Sequence, residues 1–171
     1  HDLGQQRCED EVVLLAEEEH LPAGRHAAAQ FARHSISDFH DGWIFRGGAF
    51  ELRFNVDWAI VQAISQVERM PGDPSKREDR KRQLQDALYG RSTWYEFLPL
   101  RDLPLFRDVA PWFYDWLEQP DDGEYWRRWN VASRHESVEV PICHFGSWFD
   151  TFLKGTVDNF TGISRHARSK R

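Results

Sequence analysis

Apolar positions along this chain fall mostly at helical spacing, with one clear exception near the C-terminus. Val138 to Phe145 has the length of a single strand, with Pro141 near its start, where a missing N–H is tolerated, and Gly146 where the chain must turn. Beyond it Phe149, Phe152, Leu153, Thr156, Val157 and Phe160 recur at i, i+3, i+4, i+7, i+8 and i+11, one face of a helix. Asp150 is therefore expected in a strand-to-helix loop. Upstream, Asp10 to His20 reads as a helix with Val12 to Ala16 as its apolar patch, closed by Leu21, Pro22 and Gly24. Ala27 to Ile36 fits either a helix or a small-residue strand, and Ser37 to Gly42 concentrates turn formers.

The middle of the chain is helical. Gly47 and Gly48 are expected to open a long helix with Phe50, Phe54, Trp58, Val61, Ile64 and Val67 on one side, ending before Pro71. The mixed-charge run Ser75 to Arg82, followed by Leu84, Ala87 and Leu88, predicts a helix with a solvated face that stops at Gly90. Two prolines between Leu98 and Leu105 force extended or turned backbone. Trp112, Phe113, Trp116 and Leu117 then mark one short helix, and Tyr125, Trp126 and Trp129 another. No repeat or low-complexity segment interrupts this order. A helical block between two pieces of α/β character predicts an α/β fold class, a core with a mostly helical cap domain inserted. The boundaries are 1–47 for a partial core, 48–137 for the cap, and 138–171 for a core strand, its loop and the following helix.

Composition narrows the function classes. Eight Trp and twelve Phe supply large buried areas, so one ordinary domain can hold a core. A net charge of -6 argues against a broad nucleic-acid surface, which needs many phosphate-neutralising cations. Cys8 and Cys143 form neither a disulfide framework nor a CxxC metal pattern, and Cys143 is expected to pack as a small apolar residue in its strand. No apolar run approaches a membrane span and no secretory leader is legible, so no membrane partner and a cytoplasmic location are expected. The chain opens on His1 and closes within a helical pattern, so both ends are expected to be cut.

Candidate chemistry is sparse. Asp38, His40 and Asp41, with His34 six residues before His40, are dense in carboxylate and imidazole, but no HExxH and no second ligand cluster accompanies them, so turn chemistry explains them better than a metal. No metal and no cofactor is predicted, since Gly47-Gly48 alone does not make a phosphate loop. His144 lies inside the apolar strand and reads as a hydrogen-bonded core residue, and His166 as part of a solvated helix end. No G-x-S-x-G pentapeptide occurs, so no serine sits on a nucleophile elbow. Spacing leaves Asp150 between two roles: the N-cap of the following helix, and a catalytic side chain at the carboxyl end of a strand.

Three segments taken together resemble the serine hydrolases of the cocaine esterase and X-Pro dipeptidyl-peptidase group, the CocE/NonD hydrolases. These are Ser37 to Leu52, Trp112 to Leu117 with Glu124 to Arg128, and Val140 to Phe152, continued by Gly155 to Phe160 in the same order. The resemblance covers residues 35–171 and implies an α/β-hydrolase core with an inserted cap and a Ser, Asp, His triad in that chain order. It places Asp150 on the family's catalytic acid, within a Gly-x-Trp-Phe-Asp motif, where it would hold the catalytic histidine. It places Phe152 against the acyl group of a substrate, and Trp43 and Phe50 where they would line the same pocket.

The departures are as informative. The family's nucleophile belongs before the helix at residues 10–20, and His1 to Glu9 do not match its elbow; the family's histidine belongs after residue 171. Residues 1–34 fit poorly. The chain is thus expected to be an internal fragment of a serine hydrolase that cleaves ester or amide bonds, X-Pro peptide bonds among them, inactive by itself. The alternatives are a non-catalytic helical binding module, with the aromatics from Trp112 to Trp129 as its surface, and a decayed hydrolase. Uncovered core faces are expected to leave the segment poorly stable or associating, while the oligomeric state and the choice among ester, X-Pro peptide and amino-acid ester stay open.

Overall fold

The computed structural model describes residues 29–167; the helix expected at Asp10 to His20, and Cys8, lie outside them. The described residues fall into two compact units, one running Phe50–Pro120 and the other made of 29–49 with 121–167.

The second unit carries the strands. Gln30–Arg33 forms β1, resolving the helix-or-strand ambiguity of that region, and Ile142–Phe145 forms β4 inside the stretch expected to be a strand. The two pair in parallel, Gln30 opposite Ile142 and Arg33 opposite Phe145, and the ladder continues through His34 N donating to Phe145 O at 2.9 Å. Parallel neighbours need a crossover, and here more than a hundred residues intervene. Side chains alternate by the pleat. Ala32 and His144 look to the side that the following helix covers, whereas Phe31, Arg33, Cys143 and Phe145 are exposed. Cys143 is therefore not the packed strand residue expected, because no described element lies over its face.

After β1, a π-helical turn at His40–Ile44 leads to β2 (Phe45–Arg46) and β3 (Ala49–Phe50). Gly47 and Gly48 do not open a helix. Both have positive φ, +56° and +81°, the combination that a two-residue hairpin turn requires. Later in this unit come α5 (Glu124–Arg127), a 3-10 segment at Ala132–Ser137 and α6 (Leu153–His166). The 121–137 stretch is tied to the β1 side by Val131 N and Ala132 N, both donating to Ser37 O at 2.9 Å, and by Asn130 Nδ2 donating to Asp38 Oδ2 at 2.8 Å.

The Phe50–Pro120 unit is helical: α1 (Leu52–Arg69), α2 (Pro74–Tyr89), α3 (Ser92–Tyr95) and α4 (Trp112–Glu118), with two 3-10 turns between α3 and α4. The start of α2 follows local rules, with Asp73 accepting from Ser75 N at 2.8 Å and Pro74 in the first helical position. The buried side of α1 is Val56, Ala59, Ile60, Ala63 and Val67; of the side that the spacing suggested only Val67 is among them, and Val61 is exposed. Two alanines on this face leave room for α2, which bulky rings would not. On α4, Phe113 is fully buried against Phe106, 4.7 Å between ring centroids, and Phe50, 6.0 Å.

Candidate active site

The site is built where the carboxyl ends of β1 and β4 lie side by side, the place where α/β sheets usually put their chemistry. His34 is the first residue after β1 and continues its ladder, yet its φ is +51°, in the left-handed region that a side chain disfavours. Five residues after β4 comes Asp150. A carboxylate can only accept, so the 2.6 Å contact between the two is a hydrogen bond from His34 Nδ1 to Asp150 Oδ2. The pair is largely shielded, with side-chain exposures of 29% and 14%. His34 also meets Phe145 edge-on, 5.7 Å between centroids.

The second oxygen of Asp150 has a local task. Oδ1 accepts from Phe152 N at 3.1 Å, an Asx turn that bends the chain into α6. Phe152, not Asp150, stands at the N-cap position of that helix, and no side chain caps it. The two oxygens of Asp150 thus have different partners, Oδ1 shaping the backbone and Oδ2 holding the His34 imidazole. Phe152 in turn packs edge-on against Trp43, 5.6 Å between centroids. Trp43 is 1% exposed, so it backs Phe152 from below. Phe50 belongs to the helical unit and packs there on Phe113.

What fixes the Asp150 loop against His34 is the approach of α6 to the chain after β1. Thr156 Oγ1 accepts from Ser35 N at 3.1 Å, and Asn159 Nδ2 donates to Ile36 O at 2.8 Å. Asn159 Oδ1 is 3.0 Å from Nε2 of the buried His135. These contacts need a helix without side chains at two points. A methyl on Gly155 would stand 2.7 Å from Ser35 O and Ile36 Cα, and one on Gly162 would stand 2.0 Å from the His135 ring. The buried face of α6 is consequently Thr156 and Asn159, while Phe149, Val157 and Phe160, expected on a core face, are exposed. Short polar side chains and glycine win because the partner is backbone, which demands hydrogen bonds.

The remaining candidates are placed as follows. Asp38 Oδ1 accepts from His40 N and Asp41 N, and Asp41 Oδ1 from Gly47 N, which is turn chemistry. His144 Nδ1 is buried without a hydrogen-bond partner among the described residues, contrary to the expected hydrogen-bonded role; burial, then His135 nearby, push its pKa down. His166 is exposed in the last turn of α6. Gly155, Asn159 and Gly162 were not legible as site residues, and His34 was legible only as a neighbour of the Asp38, His40 and Asp41 group, not as a partner of Asp150.

A family model described as the X-Pro dipeptidyl-peptidase (S15) family matches residues 12–170, both units and Asp150 included. The chain belongs to the X-Pro dipeptidyl-peptidase (S15) family. Membership implies an α/β-hydrolase-type fold and points to serine hydrolase or peptidase chemistry on small peptide substrates. No curated protein matches the chain. Among the described residues of this S15 family member, no helix is long and apolar enough to cross a membrane.

Proposed function

We propose that this chain is the part of a CocE/NonD-type serine hydrolase that supplies the catalytic acid, Asp150, and a mostly helical cap. The substrate is an ester or amide, X-Pro peptides included. The nucleophilic serine would come from polypeptide before residue 10 and the triad histidine from polypeptide after residue 171, since this sequence has no G-x-S-x-G elbow. In the acyl-enzyme route the serine attacks the carbonyl carbon, the histidine takes the serine proton and returns it to the leaving group, and Asp150 orients that histidine and stabilises its cationic form. Phe152, backed by Trp43, would face the acyl group.

The observation that carries this proposal is the Asp150 carboxylate at the end of a parallel strand, already accepting an imidazole N–H at 2.6 Å. A carboxylate with only a capping role has no use for that bond. Trp112, Trp116 and Trp126 are 4%, 5% and 1% exposed, which supports a packed cap over a helical binding module that would present them. In the complete hydrolase Asp150→Asn should lower kcat roughly ten-thousandfold on p-nitrophenyl esters or X-Pro p-nitroanilides, by analogy with other triads. The 171-residue chain alone should show no turnover. Hydrolysis by the isolated chain that Asp150→Ala abolishes would sink the proposal.

A further inference from the structure

Resting on the triad role just given to Asp150, we propose that His34 is a positioning residue for it, a second imidazole that holds the acid while the catalytic histidine binds its remaining lone pairs. Three observations converge. Nδ1 of His34 lies 2.6 Å from Oδ2, a short charge-assisted hydrogen bond. The residue sits at φ +51°, and a non-glycine residue is retained in that region where its surroundings require it. The backbone there is over-determined: His34 N is held by Phe145 O, Ser35 N by Thr156 Oγ1, and Ile36 O by Asn159 Nδ2. The imidazole is thus aimed from β1 at a carboxylate on the neighbouring strand's loop.

A carboxylate has about four lone-pair sites, and the described contacts use two, Phe152 N on Oδ1 and His34 Nδ1 on Oδ2. About two lone-pair sites are left for the triad imidazole. With both oxygens engaged, rotation about the Cβ–Cγ bond of Asp150 is blocked, so the oxygen offered to the catalytic imidazole is fixed before substrate arrives. This is positioning in advance of the reaction, which matters because misplacement by about 1 Å can cost a hundredfold in rate.

The test separates the hydrogen bond from the backbone strain. In the 171-residue chain, long-range 15N NMR at a pH where the ring is neutral should find His34 protonated on Nδ1, and Asp150→Asn should release that preference. An Nε2-protonated ring, or one indifferent to Asp150→Asn, overturns the proposal. In the complete hydrolase, His34→Gly removes the donor but suits a positive φ; kcat should fall about tenfold, the size of one charge-assisted hydrogen bond, with KM unchanged and a melting temperature equal or higher. His34→Asn accepts the same φ and places an N–H near Nδ1, so it should keep kcat within about twofold of the parent. Loss of activity in Asp150→Asn with a normal kcat in His34→Gly removes the role of His34 and leaves the triad role standing. Full activity in Asp150→Asn removes the triad role and, with it, this one.

Discussion

The helical unit Phe50–Pro120 closes its own core, whereas the unit bearing Asp150 leaves much of its apolar surface uncovered. In the first, Val56, Ile60, Leu84, Leu103, Phe106 and Phe113 are all fully buried. In the second, Phe31, Phe145, Trp148, Phe149, Val157 and Phe160 are exposed, Phe149 entirely. A helix satisfies its backbone internally and needs only one face covered, so neighbours close in sequence suffice. A parallel strand needs partners on both edges and layers on both faces, and β1 and β4 have one partner strand each among the described residues. The polar site is ordered all the same, through Thr156, Asn159 and the two close glycines.

Breaking each unit at its own weak point sharpens that contrast. The largest effect should come from Phe113→Ala, which empties the centre of the helical unit and costs about 3–5 kcal/mol. Peptide-resolved hydrogen exchange should show the loss confined to 50–120; equal loss around Asp150 would mean that the units do not fold separately. Gly162→Ala should cost about 1–3 kcal/mol by forcing α6 off His135, and should loosen exchange at residues 34–37 while sparing α1 and α2.

Acid should also divide the units, because every described histidine lies outside Phe50–Pro120. Burial holds the pKa of His144 below its ordinary 6.5. Its neutral folded form is then unpenalised above pH 6.5, and as pH falls below that value the unfolded chain takes up a proton that the folded chain refuses. Stability of the site-bearing unit should decline over that window, and His144→Leu should flatten the decline; a pH-independent parent would count against it. The smallest effect on stability, within about 0.5 kcal/mol, is expected for Phe149→Ser, since the ring touches solvent on all sides. Sedimentation should nevertheless show less self-association than in the parent.

Legibility followed the same division. The stop of α2 was set by Gly90, and the loop position of Asp150 by Gly146 and the apolar run before it; capping and turn chemistry act within a few residues. The face of α1 was misjudged because aromatic rings weigh heavily in a periodicity, while helix contact favours the small Ala59 and Ala63. The exposed face of α6 was misjudged because its true partner is the backbone at 35–37, which no spacing reveals.

By itself the sequence determined the helices, the turn formers, the family and a carboxylate at a strand end. Only the tertiary structure decided that the carboxylate meets His34, 116 positions away. Parallel pairing of β1 with β4 joins residues through a crossover of over a hundred others, and contacts of that kind depend on register and strand order. Neither is written in the local pattern of either strand.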